Sequence, residues 1–137
     1  MTNRLLLDTN IVLACVSTPE RLTQKTRNFL DNAEKYISVM TYWEVLVKSS
    51  TGKLSVGGVR EWWLDALLQL QAAAVPFFPD HVNSISHLPM LHKDPFDRAI
   101  LAQARIEELT VVTSDSLMLR YANPRLSVVH FPLIGPN

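Results

Sequence analysis

Short apolar runs alternate with helical patterns along this 137-residue chain, and the alternation restricts its fold more than any other feature. Five runs have the length and apolar character of buried parallel strands: residues 4–7, 36–39, 74–77, 109–113 and 127–130. Helical patterns occupy the intervals, at residues 10–16, 19–33, 42–50, 59–71, 80–88, 95–107 and 116–121. The alternation predicts an α/β fold, with a parallel sheet of about five strands between helices. No repeat or linker interrupts it, so residues 1–137 are predicted to form a single domain.

Composition argues against several classes of protein. Hydrophobic residues make up 47% of the chain and the formal net charge is zero, which argues against disorder and against a basic nucleic-acid coat. The single cysteine, Cys15, cannot form an internal disulfide, and no Cys/His cluster has zinc-binding spacing. A membrane helix needs roughly 18 consecutive apolar residues, and no run is that long. Without a cleavable leader pattern either, we expect a cytoplasmic protein with no membrane segment.

Acidic residues follow the predicted strands. Asp8 comes directly after the first strand and Asp115 after the fourth, while Glu44 lies in the helix after the second. Asp94 and Asp97 stand at the start of the long helix near residue 95. The carboxyl ends of parallel strands meet at one edge of a sheet, so we expect these acids to converge. Clustered carboxylates stay ionised only beside a cation, and oxygen ligands suit Mg²⁺ or Mn²⁺. The chemistry indicated is phosphodiester hydrolysis.

Each acid also has a purely structural interpretation. Asp94 is a good N-cap before Pro95, and Asp97 would face the helix dipole. The two acids that follow strands could likewise cap the helices after them. Glu44 could pair with Lys48, four residues later, on a solvated face. Independent caps would not be expected to converge on one edge, so the conjunction favours a functional site.

Four segments together resemble the PIN-domain nucleases, most closely the VapC toxins of bacterial type II toxin–antitoxin pairs. They read LLLDTN (5–10), SVMTYWE (38–44, with Lys48, Gly52, Lys53 and Leu54 after it), HKDPFDRAILAQA (92–104) and VVTSD (111–115). The resemblance covers nearly the whole chain. It implies a three-layer α/β/α domain and a Mg²⁺- or Mn²⁺-dependent ribonuclease. It also implies a homodimer and a cognate antitoxin, whose C-terminal tail occupies a groove beside the active site.

The resemblance also implies roles for individual residues. Its four core acids, catalytic and metal-binding, correspond to Asp8, Glu44, Asp97 and Asp115, and Asp94 corresponds to an extra acid of the metal site. Polar positions that line the family's site correspond to Asn10 and Thr113, which are therefore candidates for contact with the substrate. Four basic residues near the acids in sequence, Lys48, Lys53, Lys93 and Arg98, are candidates for RNA phosphates. Arg98 could instead hold Asp94 in an ion pair. Tyr42 and Trp43 are bulkier than the residues often found before the second acid.

Other residues lead to weaker expectations. Trp62 and Trp63 are adjacent and cannot both face the core from one helix, so one is expected at a partner interface. Thr18, before Pro19, is expected to cap the helix at 19–33. The four histidines (81, 87, 92 and 130) are interpreted as loop and surface residues rather than ligands.

Two alternatives remain at this stage. A phosphoacceptor receiver domain also has acids at strand ends, but the third strand runs into Pro79–Asp80, and no lysine follows the last strand. A catalytically silent PIN-fold protein that binds a partner is the other, since a fold does not establish an activity.

Although the formal net charge is zero, the charges are unevenly distributed over the molecule if the five acids lie together. The remaining eight acids then face 13 bases, so the rest of the surface carries about +5. A negative pocket on a mildly basic body suits an enzyme that binds a phosphate backbone where a metal is held.

Overall fold

The computed structural model describes residues 3–136 and contains a five-stranded parallel sheet with helices on both faces. The predicted domain bounds, 1–137, extend past this range at both ends. The strands are β1 (Arg4–Leu7), β2 (Glu34–Ser38), β3 (Ala73–Val75), β4 (Thr110–Thr113) and β5 (Val128–His130). The helices are α1 (Thr9–Ser17), α2 (Gln24–Asp31), α3 (Val39–Ser50), α4 (Val59–Leu70), α5 (Pro79–Ile85), α6 (Pro95–Glu107) and α7 (Ser116–Leu119). A short 3₁₀ turn covers Pro19–Arg21. The predicted fold class is confirmed.

The strand order β3-β2-β1-β4-β5 places β1 at the centre of the sheet. The chain builds outward from β1 on one side and from β4 on the other, which makes the β1/β4 boundary the switch point where α/β folds bind ligands. Leu7 pairs with Val112 there, and the Asp8 amide donates to the Val112 carbonyl at 2.9 Å. Receiver domains follow the order 2-1-3-4-5, so the receiver alternative is wrong.

Apolar side chains of β1 point to both faces of the sheet, and both faces are buried. Leu6 packs in one cluster with Ile100 and Val111, while Leu5 and Leu7 pack in a second cluster on the other face. All three leucines are fully buried. An apolar run without alternation is the pattern of a strand covered on both sides, which explains the three-layer arrangement. Within residues 3–136, no helix is long and apolar enough to cross a bilayer.

Helices α2 and α3 do not begin where the sequence predicts, because the hydroxyl groups of Thr23 and Ser38 cap them. The predicted helix at 19–33 is interrupted: Thr18 makes no capping bond, and the Thr23 hydroxyl instead accepts the Thr26 amide at 3.1 Å to begin α2. Ser38 ends β2 and caps α3 by accepting the Met40 amide at 3.0 Å. Helix α3 therefore begins three residues earlier than Tyr42, the predicted start.

The expectation that one of the adjacent tryptophans lies at an interface is wrong. Trp62 is 5% exposed and Trp63 is 7% exposed, and both belong to the same buried cluster. Helix α4 packs against both α1 and α3, so two neighbouring positions on it find cover. Trp63 stacks on Tyr42 of α3 at 5.0 Å between ring centroids, which also gives the bulky Tyr42 a structural role.

Candidate active site

Asp8 lies at the switch point and is held from two directions. It follows β1 directly and is 2% exposed. One carboxylate oxygen, Oδ1, accepts the Thr9 amide at 2.7 Å, so Asp8 caps α1 as well. The other, Oδ2, accepts the Thr113 hydroxyl at 2.8 Å from the end of β4. Capping and site placement are therefore compatible, because each uses a different oxygen.

Glu44 projects from α3 into the same region and is 3% exposed. Its Oε2 accepts the Lys48 ammonium at 2.6 Å. The predicted pair forms, but the solvated face proposed for it is wrong, since this carboxylate is buried. Its other oxygen, Oε1, is buried without a hydrogen-bond partner among the described residues. A buried carboxylate oxygen without a hydrogen-bond partner lowers the stability of the fold unless a cation binds it.

Asp94 and Asp97 stand at the start of α6. The Asp94 Oδ1 accepts the amides of Phe96 at 2.8 Å and Asp97 at 3.3 Å, so the predicted N-cap is present. Asp97 lies in the first turn and points toward the other acids. Burial, followed by repulsion from Asp8, Asp94, Glu44 and Asp115, raises the pKa of Asp97 to about 9. The structure thus brings all five predicted acids within electrostatic reach of one another.

Asp115 follows β4 and shares its surroundings with a histidine. Its amide donates to the Thr113 hydroxyl at 3.0 Å, and its Oδ1 caps α7 by accepting the Leu117 amide at 2.9 Å. His92 reaches both acids: its Nε2 lies 3.1 Å from the Asp115 Oδ2 and 2.9 Å from the Asp97 Oδ2. His92 does lie in a connecting segment, but its contact with two of the acids was not predicted from the sequence. Its place two residues before Asp94 is the only sequence signal that could have indicated this.

The electrostatics of the cluster call for a cation. Burial chiefly raises the pKa of Asp8 to about 6, repulsion from Glu44 and Asp115 adds to the rise, and the bonds from Thr113 and Thr9 oppose it. Burial lowers the pKa of Lys48, yet its bond to Glu44 and the attraction of Glu44, Asp94 and Asp97 together outweigh this, and the pKa ends above its ordinary value. Carboxylates this close, with one buried oxygen unpartnered, are the hard donor set that Mg²⁺ or Mn²⁺ takes.

The weaker site predictions divide into three outcomes. Thr113 is fully buried and bonds Asp8, so it supports the site from beneath and is wrong as a substrate contact. Arg98 is also wrong as an RNA or Asp94 partner, because its guanidinium is buried and donates to carbonyl oxygens of the segment before α6. Asn10 and Lys53 are exposed, and their roles stay predictions.

An aromatic pair lies beside the acids. Trp43 precedes Glu44, is 54% exposed, and packs edge-on against Phe96 at 5.2 Å between ring centroids. Phe96 in turn precedes Asp97. The unusual bulk of Trp43 therefore joins the two helices that carry the second and third acids.

Comparisons with known proteins agree with this geometry. The chain resembles the following chains in solved structures, all under 25% identical and so alike in fold. VapBC2 from Rickettsia felis bound to a promoter DNA fragment is 19% identical, with 93% of this chain and 98% of that chain covered and a TM-score of 0.68. FitAcB from Neisseria gonorrhoeae is 20% identical, with 90% and 95% covered and a TM-score of 0.64. DNA-bound VapBC from Salmonella typhimurium is 18% identical, with 95% and 98% covered and a TM-score of 0.63.

No curated protein matches the sequence at a significant level. The family model for the PIN domain, however, matches residues 5–124. That span contains all five acids of the cluster and four of the five strands. The chain belongs to the PIN domain family.

Proposed function

We propose that this protein is a Mg²⁺- or Mn²⁺-dependent endoribonuclease, the VapC-type toxin of a type II toxin–antitoxin pair, acting in the cytoplasm as one PIN domain. The observation that carries the proposal is the convergence of five carboxylates from four segments on the switch point of the sheet. Membership of the PIN domain family supports it. The solved structures that resemble this fold also support it, since they include VapBC assemblies and a toxin–antitoxin complex from Klebsiella pneumoniae.

The proposed metal ligands are Asp8, Glu44, Asp97 and Asp115, with Asp94 close to them. The unpartnered Oε1 of Glu44 and the raised pKa of Asp97 are the two features that fit a divalent cation. When bound, such an ion activates water and stabilises charge on a phosphate during in-line displacement.

The chain's own residues prepare this site. Thr113 fixes the orientation of the Asp8 carboxylate by donating to Oδ2. Lys48 holds Oε2 of Glu44 and leaves Oε1 available. Lys53 and Asn10, both exposed, are proposed to meet the substrate backbone, where positive and polar groups supply affinity without sequence preference.

The test is cleavage of structured RNA by the purified full chain with Mn²⁺. We expect cleavage by the wild type, none with chelator, and a loss of about 10²–10³-fold in Asp8→Asn. His87→Ala, an exposed histidine away from the acids, is the matched control and should cleave normally. Equal cleavage by Asp8→Asn would sink the assignment. A wild type that binds neither Mg²⁺ nor Mn²⁺ at millimolar concentration would favour the silent partner-binding alternative.

Exposed apolar side chains offer surfaces for the proposed antitoxin and second copy. Trp43 and Leu46 on α3 are 54% and 49% exposed, and Leu64 and Leu68 on α4 are 54% and 77% exposed. Light scattering of the chain alone tests the homodimer. Co-purification with the product of a small adjacent reading frame tests the antitoxin.

A further inference from the structure

A histidine outside the predicted acid set occupies the gap between two of the acids. His92 lies in the segment between α5 and α6, and its side chain is 15% exposed. Its Nε2 is 2.9 Å from the Asp97 Oδ2 and 3.1 Å from the Asp115 Oδ2. One ligand atom from each of the three side chains lies within 4.8 Å of the others. Two oxygens on opposite sides of one cation, each about 2.1 Å from it, span about 4.2 Å, so an upper limit of 4.8 Å between the ligand atoms is compatible with one shared cation.

The backbone around His92 is held by hydrogen bonds to a buried tyrosine hydroxyl. The Tyr121 hydroxyl, on a residue 2% exposed, accepts the amides of Leu91 at 3.0 Å and His92 at 2.8 Å. Arg98 donates to the same hydroxyl at 3.1 Å and to the Pro89 carbonyl at 2.9 Å. A connecting segment without such bonds would be mobile. Here the hydrogen bonds to the Tyr121 hydroxyl and the Pro89 carbonyl fix the position of the imidazole. They also explain why the Arg98 side chain faces this segment rather than solvent.

The hydrogen bonds of the ring indicate what it offers the acids. The Asp94 amide donates to Nδ1 at 3.3 Å. Nδ1 is therefore an acceptor, and the ring proton lies on Nε2, because the bond made by one ring nitrogen sets the state of the other. Nε2–H then donates to the Asp115 Oδ2, and the Asp97 Oδ2 lies 2.9 Å from the same nitrogen. Bonds of this kind to carboxylates are short and strong, and they offset the repulsion between the two acids.

We propose that His92 is a positioning residue, which holds the Asp97 and Asp115 carboxylates together so that both can meet one divalent cation. The inference rests on the proposed function, since it takes these acids as ligands. His92 acts on the more exposed pair of acids as Lys48 acts on Glu44. Side chains that hydrogen-bond to metal ligands typically contribute 10–100-fold to metal affinity.

The experiment measures Mn²⁺ binding to the full chain by titration calorimetry, without RNA. We expect His92→Ala to weaken Mn²⁺ binding by about 10–100-fold. His92→Gln keeps an N–H donor and should restore most of the affinity. His87→Ala removes an exposed histidine of the same segment and should bind as the wild type does. Restoration by glutamine is the outcome that a merely structural histidine would not produce.

Pulsed electron paramagnetic resonance of the Mn²⁺-loaded wild type provides the second readout. A positioning role predicts no nitrogen directly bound to Mn²⁺. A strong directly bound ¹⁴N signal that His92→Ala removes would overturn the inference and make His92 a ligand. Unchanged Mn²⁺ affinity in His92→Ala would overturn it too, while leaving the proposed function intact. A wild type that binds no Mn²⁺ would overturn the proposed function and this inference with it.

Discussion

The two sides of the acid cluster are held in different ways. On one side, Asp8 and Glu44 are 2% and 3% exposed and are bonded by Thr113 and Lys48. On the other side, the Asp97 and Asp115 side chains are 14% and 30% exposed and meet a histidine carried by a connecting segment. We call these the inner and the outer side of the cluster. Side-chain bonds from Thr113 and Lys48 hold the inner side, whereas a histidine on a connecting segment contacts the outer side.

The inner carboxylates are held in a fixed arrangement, whereas the outer carboxylates have more to gain when a cation binds. A buried carboxylate with fixed donors is preorganised and needs no rearrangement when charge develops beside it. An outer carboxylate whose repulsion is relieved only in part has more to gain when a cation arrives. The raised pKa of Asp97, about 9, measures that unrelieved repulsion together with burial. Metal binding should therefore stabilise the outer side more than the inner side.

The largest difference is expected between Asp97→Asn and Asp8→Asn, in the free energy of unfolding of the metal-free protein. Both should lower Mn²⁺-dependent RNA cleavage by about 10²–10³-fold, as loss of a preorganised charge does. Asp97→Asn removes a carboxyl group whose ionised form is disfavoured by burial and by the neighbouring acids, so we expect it to raise the free energy of unfolding of the metal-free protein by about 1–2 kcal/mol. Asp8→Asn should lower it, because an amide has one acceptor oxygen where the carboxylate accepts bonds with both.

Thermal and chemical unfolding in chelator, beside a cleavage assay, measure both quantities. His87→Ala serves as the neutral control, since it is exposed and away from the cluster. Stability changes of the same sign in the two aspartate variants would remove the distinction between the inner and the outer side.

Thr113→Val tests how much the inner side depends on one hydroxyl. Valine has nearly the same shape but cannot donate to Asp8 or accept the Asp115 amide. We expect a loss of about 1.5–3 kcal/mol in the free energy of unfolding, as for a bond to a charged group. Cleavage should fall by about 10–100-fold. Thr113→Ser keeps the hydroxyl and should retain most of both, and equal losses in the two variants would assign the effect to packing.

The pH dependence of metal-free stability should report mainly on the outer side. The folded pKa values of Asp8 and Asp97, about 6 and about 9, exceed the value of about 3.9 in an unfolded chain. The folded state therefore binds these protons more tightly. Their contribution is fully present below about pH 4 and is lost as pH rises, through about 6 for Asp8 and up to about 9 for Asp97.

The measurement is chemical unfolding between pH 5.5 and 9 in chelator, for wild type and Asp97→Asn. The stability advantage of the variant should grow as pH rises. Saturating Mn²⁺ should stabilise the wild type most at high pH, since a ligand of the folded state adds about 2.7 kcal/mol at 100 times its Kd. An advantage that is independent of pH would show that Asp97 is ionised throughout.

The inner side was predictable from sequence, and the outer side only in part. Asp8 follows from a local rule, because a strand of apolar residues ends at it and parallel topology fixes where its carboxyl end lies. Strand β1 matches its predicted bounds, 4–7, for the same reason. These features depend on near neighbours in sequence and on one topological rule. Glu44 was assigned to the site through the resemblance to the PIN-domain nucleases.

His92 and Arg98 depend on Tyr121, which is 29 and 23 residues away in sequence. No periodicity or spacing indicates that a tyrosine hydroxyl will accept two backbone amides and a guanidinium. Charge near an acid motif suggested RNA contact for Arg98, yet burial turned the guanidinium toward backbone carbonyls. Similarly, Trp62 and Trp63 are both buried because two other helices cover α4. Tertiary contacts of this kind decide what adjacent or basic residues do.

The smallest effect we predict separates two of the lysines that were grouped as phosphate contacts. Lys48 is bonded to Glu44 and belongs to the inner side, whereas Lys53 is exposed after α3. Lys53→Ala should weaken RNA binding a few-fold and reduce the slope of log affinity against log salt by about 1. Lys48→Ala should act mainly on Mn²⁺ affinity, because Glu44 loses its partner. Fluorescence anisotropy with labelled RNA between 50 and 200 mM salt, with Ca²⁺ in place of Mn²⁺, measures the slope. An equal change of slope in both variants would place Lys48 with the substrate rather than with the acids.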